Sequence, residues 1–438
     1  MTRGIATAAA AAAWALAFSG PALAQGTGGE AAALRAEIDT LRARLDALEA
    51  ARAEAEPPPV GTDRGGVTLT FSGRINQALL HAEQGEQDQS FVADNDASGS
   101  RFGLTATTEL GGLATGVEIE VSAEVNSTAE IDFGSTIGAE DDGNALGDFR
   151  QAHWFIEGER FGYLSIGQGD TAAEDTAHAD LSGTDLAGAG SDVDDIAGGL
   201  VFEDEGGASL AGLADFFVIQ DGSRSLRLLY VTPEVGGAAL KVSLQNDEES
   251  LEGDDDGVEG GLQPAIGLEF GREFGEGGEL ALEASWRREQ STDLVPSGGA
   301  FVEDDREDEF VAASASVRLA SGVNVTLAGS RGSVEGQDDD PTAVFAKIGY
   351  VADLNRFGET RLSLDYFRGR NAPDFAAPDG DLPRAESVGL FAVQAFSDLN
   401  TEAYVGARIY RLDDVWADGA ETEVDDLVAV IAGARVRF

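Results

Sequence analysis

The feature that most constrains the fold is an apolar–polar alternation with a period of two, which recurs along most of the 438-residue chain. In Val67–Leu79, for example, Leu69 and Phe71 would point to one side of a strand, and Thr68 and Thr70 to the other. This period is typical of a β-strand with one apolar face. About sixteen segments are interpreted as strands in this way: Val67–Leu79, Arg101–Leu110, Val117–Val125, Phe149–Glu157, Phe161–Gln168, Leu226–Val231, Ala238–Gln245, Ile266–Gly271, Leu280–Arg287, Val311–Leu319, Val323–Ser330, Val344–Tyr350, Arg361–Phe367, Val388–Phe396, Ala403–Tyr410 and Val428–Phe438.

The connections between these segments alternate in length. Short turns such as Gly111-Gly112 and Ser321-Gly322 are followed by long acidic segments such as Asp247–Gly261 and Ser291–Glu309. An even number of antiparallel strands, with short turns at one end and long loops at the other, is the plan of an outer-membrane barrel. Hydrocarbon cannot satisfy backbone polar groups, so a strand protein in a membrane must close its hydrogen-bonded ladder on itself. The sequence therefore predicts an all-β fold, a closed antiparallel transmembrane β-barrel of about 16 strands over residues 67–438.

One connection differs from all the others. The strands Phe149–Glu157 and Phe161–Gln168 form a hairpin, and after Asp170 the chain continues for roughly fifty residues without a long strand pattern. So long an irregular connection usually has a function. We expect it to fold into the barrel as a constriction loop.

Residues 1–24 have the pattern of a cleaved signal peptide. Arg3 supplies the positive start, Ala8–Phe18 the apolar stretch and Ala22-Leu23-Ala24 the cleavage site. The alternative is a membrane helix, which normally needs about 20 apolar residues. The shorter apolar stretch favours export.

Residues 25–56 are predicted to form a short coiled-coil helix. Leu34, Ile38, Leu41, Leu45 and Leu48 are spaced as a heptad seam, and the flanking g–e' pairs join opposite charges. This pattern favours a parallel self-associating coil. The alternative is a single amphipathic helix that rests on the barrel. Residues 57–66 then form a Pro/Gly linker.

The composition excludes several classes of function. The chain has 80 acidic and 29 basic residues, a formal net charge of −51, which argues against nucleic-acid binding. There is no cysteine, and the three histidines lack metal-ligand spacing, so we expect no metal and no cofactor. The acidic runs Asp254–Asp256 and Asp338–Asp340 lack full calcium-loop spacing, and solvated loop charge is favoured. Close carboxylate pairs arise by chance in so acidic a chain, and we expect no enzymatic activity.

Three stretches carry a resemblance to a known family. Ser100–Leu104 is similar to the family's second strand, with its lumenal arginine. Arg150–Phe155 followed by Phe161–Gly167 resembles the hairpin before the constriction loop, and the last strand ends on Phe438. On these motifs the chain resembles the Gram-negative outer-membrane general porins, which are trimeric and 16-stranded. An N-terminal coil ahead of the barrel is seen in some sugar-specific porins.

The chain departs from the family pattern in two places. Gln168 stands where the family often has a basic residue, and the long loop lacks the proline-glutamate-phenylalanine-glycine turn of its best-known members.

The resemblance implies a water-filled channel for passive diffusion of ions and small hydrophilic solutes. It also implies a homotrimer in the outer membrane, in contact with lipid and lipopolysaccharide, with Phe438 read by the outer-membrane assembly machinery as an assembly signal. Two alternatives stay open: a substrate-selective porin for anionic or sugar solutes, and a non-conducting structural or adhesive barrel.

The candidate site residues are basic side chains on the barrel wall and acidic side chains on the constriction loop. The alternation places nine arginines on the lumenal face, and the resemblance places Arg101 and Arg150 on the basic wall of the narrowest part. Arginines facing carboxylates across a narrow water-filled gap would create a transverse field. The alternative for each single arginine is that it only solvates the lumenal wall. The pore-lining candidates are Arg74, Arg101, Arg150, Arg227 and Arg318, and the constriction-loop candidates are Glu174, Asp175, Asp180, Asp185, Asp192, Asp194 and Asp195.

Overall fold

The computed structural model describes residues 62–64, 66–134, 147, 149–204, 209–246, 262–297, 300–335, 337, 339–372, 375–378, 380–417 and 419–438. The predicted signal peptide (residues 1–24), the coiled-coil helix (25–56) and most of the linker (57–66) lie outside the described residues.

Sixteen antiparallel strands form the barrel wall, each paired with its neighbours in chain order. The first and last strands also pair, with Arg74 opposite Arg437 and Gln84 opposite Leu427, which closes the sheet. The prediction of a closed, 16-stranded all-β barrel is confirmed. The strands are β1 (Val67–Gln84), β2 (Arg101–Leu110), β3 (Leu113–Ser122), β4 (Phe149–Gly158), β5 (Gly162–Asp170), β6 (Arg224–Val231), β7 (Ala238–Gln245), β8 (Gln263–Phe274), β9 (Gly278–Ser297), β10 (Ala300–Arg318), β11 (Val323–Ser333), β12 (Thr342–Asn355), β13 (Gly358–Arg370), β14 (Arg384–Phe396), β15 (Thr401–Asp413) and β16 (Leu427–Arg437).

Besides the long segment after β5, three connections that the sequence pattern left as loops contain strands. Gln87–Asp94 folds back on the end of β1, and β9 and β10 continue through Ser291–Glu309 until Ser297 pairs with Ala300. Between β15 and β16, Val415–Ala417 pairs with Ala420–Thr422. Their backbone groups are satisfied by pairing within each hairpin. These segments lack a run of alternating apolar residues, so a search for that pattern does not detect the strands.

The outward face of the barrel is apolar. On β12, Val344 and Ile348 are exposed, whereas Phe345 and Lys347 between them are buried inside the barrel. Leu79 on β1 is 65% exposed. A lipid-facing surface has this character, because hydrocarbon solvates apolar side chains. Among the described residues, no helix is long and apolar enough to cross a membrane.

The predicted inward-folded loop is present between β5 and β6, and residues 171–223 are called the inner loop below. It contains a 3₁₀ turn at Asp185–Ala187, a small hairpin of Val201–Glu203 with Ser209–Gly212, and one helical turn at Leu213–Phe216. These elements give the loop an apolar side of its own. Its fully buried members include Leu186, Ile196, Phe202, Phe216 and Phe217.

The apolar side of the inner loop packs against one sector of the inner wall. The wall residues of this core are also almost completely buried, and they come mainly from β13 to β16: Phe367, Phe391, Val393, Tyr410 and Ile431. The interior is therefore apolar in this sector and water-accessible elsewhere. In the sequence of the predicted strand Val388–Phe396, the alternation breaks at Ala392-Val393. This packing accounts for the break, because Phe391 and Val393 face the apolar side of the loop.

Candidate functional site

Buried charges fix the inner loop to the far wall. Lys347 of β12 donates to the Asp180 carboxylate at 2.6 Å and to the Ala189 carbonyl at 2.7 Å. Arg408 of β15 pairs with Asp365 of β13 at 2.6 Å and donates to the Gly188 carbonyl at 2.9 Å. Removing a charged group from water costs free energy, so a buried charge is stable only when it pairs with an opposite charge and hydrogen-bond partners. They hold the middle of the loop across the lumen.

Hydroxyl groups on neighbouring strands add further anchors. Ser314 and Ser316 of β10 accept hydrogen bonds from the Ala179 and Leu181 amides at 3.1 and 3.0 Å. On β15, the Tyr410 hydroxyl donates to the Val193 carbonyl at 2.6 Å. The loop is thus bonded to the wall along much of its length.

Opposite this anchored side, a cavity of about 540 Å³ separates the inner loop from the wall around β1–β5. Its described lining contains five arginines and ten carboxylates, so it is almost entirely polar. The charged lining residues are Arg74, Arg101, Arg150, Arg224, Arg435, Asp96, Glu118, Glu120, Asp170, Glu174, Asp175, His178, Asp185, Asp192, Asp195 and Asp221.

The wall side of the cavity has more arginines than carboxylates to pair them. Arg101 and Arg150 share the single carboxylate of Glu120, at 3.1 and 3.2 Å. Arg74 donates from Nε to the Gly99 carbonyl at 3.1 Å. This leaves positive charge that faces the cavity from β1, β2 and β4.

The loop side is acidic, and the pKa of each of several carboxyls depends on the charges of its neighbours. Burial raises the pKa of Asp192, but the ring of His178, 2.9 Å away, outweighs burial and lowers the pKa below its usual value. Burial, and then the charge of Asp192, raise the pKa of Asp195 well above the usual range and that of Asp221 to about 6. The negative charge of this side therefore depends on pH.

Eight of the twelve predicted pore-lining and loop residues meet at this cavity. They are Arg74, Arg101 and Arg150 on the wall side and Glu174, Asp175, Asp185, Asp192 and Asp195 on the loop side.

The other four predicted residues do not line the cavity. Arg227 is buried in the wall and donates to the Asp170 and Gly167 carbonyls at 2.9 and 3.1 Å. Arg318, next to a short turn, pairs with Glu279 at 2.6 Å. Asp180 forms a buried ion pair with Lys347, and Asp194 is not among the lining residues. The side-chain period gives the face of a strand but neither the depth nor the partner of a residue.

Arg224 is a lining residue that the sequence reasoning missed. It pairs with Asp170 at 3.0 Å and Glu174 at 2.8 Å, so it joins the end of the inner loop to its start. The alternation from Leu226 would place Arg224 outside the barrel, but Arg224 lines the cavity. Its position directly opposite Asp170 in the paired strands could have indicated the contact.

Asp96 and Asp221 were also missed. Both precede a strand by a few residues, and neither belongs to a periodic segment. No pattern in the sequence distinguishes them from the many solvated acidic residues of the other connections.

Comparison with known proteins identifies the family. The model of the Gram-negative porin family matches residues 6–414. No curated protein matches the chain.

Solved structures show the same fold at low sequence identity. The chain is similar to an anion-selective porin from Comamonas acidovorans, with 17% identity, a TM-score of 0.53, and coverage of 85% of this chain and 100% of that one. It is similar to OmpF of Salmonella typhi in complex with daunomycin (14% identity, TM-score 0.52, 86% and 100% coverage). It also matches the outer-membrane channel DcaP of Acinetobacter baumannii (13% identity, TM-score 0.51, 86% and 99% coverage). With the closed barrel and the folded-in loop already established, the family match shows that the chain belongs to the Gram-negative porins and is an outer-membrane channel for passive diffusion.

Proposed function

We propose that the cavity between the inner loop and β1–β5 is the constriction through which ions and small hydrophilic solutes pass. The observation that carries this proposal is the opposition of charge within about 540 Å³, with Arg74, Arg101 and Arg150 on the wall and six carboxylates on the loop. Opposed charges at a water-filled gap create a transverse field that orients dipolar solutes and slows apolar ones. The proposed role is passive and needs neither a cofactor nor catalysis.

The proposal includes a salt-dependent preference for cations. Carboxylates outnumber arginines in the lining, and the outer connections add acidic runs such as Asp254–Asp256, which lie outside the described residues. Exposed loop charges act over a Debye length of about 10 Å at 0.1 M salt and about 3 Å at 1 M. Cation preference should therefore be strongest in dilute salt, and it should weaken as salt rises.

Reversal potentials in planar bilayers test this proposal. Arg101→Ala should strengthen cation preference at all salt concentrations, because it removes positive charge at the constriction itself. Neutralising Asp254, Asp255 and Asp256 should weaken the preference only in dilute salt. If Arg101→Ala leaves the reversal potential unchanged, the cavity is not the constriction.

A second candidate function is selective transport of anionic solutes. The observation that favours it is the sharing of single carboxylates by several arginines. Glu120 serves Arg101 and Arg150, and Glu402 binds both Arg435 at 2.6 Å and Arg361 at 2.9 Å. Conductance that saturates with one anionic or sugar solute would support this function over simple diffusion. Absence of any conductance would instead support the non-conducting structural or adhesive barrel.

We propose that the channel is a homotrimer, exported by a cleaved signal peptide and inserted by the outer-membrane assembly machinery, with Phe438 as the assembly signal. The heptad seam of residues 25–56 and the family membership support threefold association. The apolar outward face supports contact with lipid and with lipopolysaccharide in the outer leaflet.

A further inference from the structure

A second piece of chain lies inside the barrel beside the inner loop. Between the hairpin strand Gln87–Asp94 and β2, the chain makes a 3₁₀ turn at Asp96–Ser98. Four consecutive residues, Asp96, Ala97, Ser98 and Gly99, line the same cavity as the inner-loop carboxylates. The segment Asn95–Gly99 is called the inner turn below.

A buried polar network holds the inner turn in place. Asn95, which is 0% exposed, donates from Nδ2 to the Leu186 carbonyl of the inner loop at 3.3 Å and to the Tyr404 hydroxyl at 3.1 Å. The Tyr404 hydroxyl donates in turn to Asn76 Oδ1 at 2.8 Å, and Asn76 Nδ2 donates to the Asn95 and Ser98 carbonyls at 3.3 Å. A buried polar group without its partner is costly, so this network specifies one position for the turn.

The inner turn is also joined to the inner loop through Thr128. The Asp96 amide donates to Thr128 Oγ1 at 3.0 Å, and the Thr128 hydroxyl donates to the Asp195 carbonyl. On the wall side, Arg435 donates to Ser98 Oγ at 2.6 Å, and Arg74 donates to the Gly99 carbonyl. The turn therefore bridges the basic wall and the acidic loop.

We propose that the inner turn is a second constriction element, in which Asp96 determines ion specificity and Asn95 is the positioning residue. The proposal rests on the assignment of the cavity as the constriction. Asp96 lines the cavity together with Arg150, Arg224 and Asp192, and its turn is bonded to both the basic wall and the acidic loop, so its charge lies between them. It offsets the arginines on the side where anions would bind, and it favours cations.

Substitution of Asp96 by Asn tests the specificity role, and Asp88→Asn is the matched control. Both residues lie between β1 and β2, and both changes replace a carboxyl by an amide. Asp88, however, is exposed in the strand Gln87–Asp94 and does not line the cavity. Burial raises the pKa of Asp96, so the measurement is made at pH 8, because a higher pH increases the ionised fraction of its carboxyl.

We expect Asp96→Asn to lower the cation-to-anion permeability ratio by about twofold or more, the effect of one unit charge several ångströms from the permeating ion. The change should persist at 1 M salt, whereas any effect of Asp88→Asn should vanish there because exposed charge is screened. Equal effects of the two variants at 1 M salt would overturn the specificity role.

The positioning role of Asn95 is tested by a double-mutant cycle. Asn95→Ala removes the donor to Leu186 and Tyr404, so the turn should loosen and the effect of Asp96→Asn should shrink in that background. The heat-modifiable gel mobility of the barrel reports folding. If Asn95→Ala does not fold, Tyr404→Phe removes the shared hydroxyl with less disturbance. Additive effects in the cycle would show that Asn95 does not position Asp96.

Asp185→Asn separates the two proposals, since Asp185 lines the cavity from the inner loop alone. If Asp185→Asn changes selectivity and Asp96→Asn does not, the inner turn is not a constriction element. If neither changes selectivity, the assignment of the cavity as the constriction fails as well.

Discussion

At the scale of single residues, the cavity should be a pH-dependent filter. Burial and the charge of Asp192 raise the pKa of Asp221 to about 6. Below that pH its carboxyl is neutral, and above it the cavity gains one negative charge, so cation preference should increase as pH rises through about 6. Reversal potentials recorded from pH 5 to pH 7 measure this step. Asp221→Asn should remove it and Asp88→Asn should not. If the increase in cation preference near pH 6 is unchanged in Asp221→Asn, a different group causes it.

The sequence could predict which residue types meet at the site but not every member. Arg101 and Arg150, which the resemblance placed on the basic wall, both line the cavity. Arg227 follows the apolar–polar alternation, but its guanidinium donates its hydrogen bonds to backbone carbonyls and does not line the cavity. Partners of this kind come from distant parts of the chain, and a local period contains no information about them.

At the scale of elements, the inner loop should depend on its anchors for rigidity. The side chain of Lys347 is 0% exposed, and breaking a buried pair typically costs about 3–5 kcal/mol because a charge stays unpaired. Lys347→Met should therefore loosen the loop, raise single-channel conductance and increase current noise. Arg331→Met is the control, because Arg331 is 68% exposed in its pair with Asp340 and such pairs contribute about 0–1 kcal/mol. Identical current traces from the two variants would mean that Lys347 does not anchor the loop.

The strands were largely predictable, since a lipid-facing and a water-facing side impose a period of two on the sequence. The strand Val388–Phe396 was predicted, but its faces could not be assigned, because the inward face of β14 meets the apolar side of the inner loop instead of water. Prediction failed along β9 and β10, where a paired hairpin needs no apolar face to satisfy its backbone. A period of two arises where one side of a strand faces lipid and the other faces water. It is absent where both sides have a similar environment.

At the scale of the whole molecule, Phe438 lies at the seam where the first and last strands of the barrel pair. Its amide and carbonyl bond to Gly73 of β1 at 3.0 and 2.9 Å, and its ring lies 6.0 Å from Phe71 and 5.9 Å from Phe102 between centroids. Deletion of Phe438 should reduce the amount of assembled barrel far more than the conductance of each channel that does assemble. Phe438→Tyr should restore assembly. Normal outer-membrane levels of the truncated protein would contradict this role.

The proposed trimer gives a second prediction at this scale. Deletion of Glu30–Glu56 removes the heptad seam, so the trimer should dissociate at lower detergent concentration without being abolished. Light scattering in mild detergent measures the mass of both proteins. A full-length protein that is monomeric under these conditions would exclude the trimer.

The one-sided packing of the inner loop has a consequence for how the channel can diversify. The residues that fill the interior lie mainly along β13–β16, whereas most wall residues of the cavity come from β1–β5. Substitutions of the cavity residues should change which solutes pass. They should leave intact the buried residues of β13–β16 that pack against the inner loop. Descendants of this chain could therefore acquire new permeation preferences by a few exchanges of charge, without first evolving a new way to hold the loop.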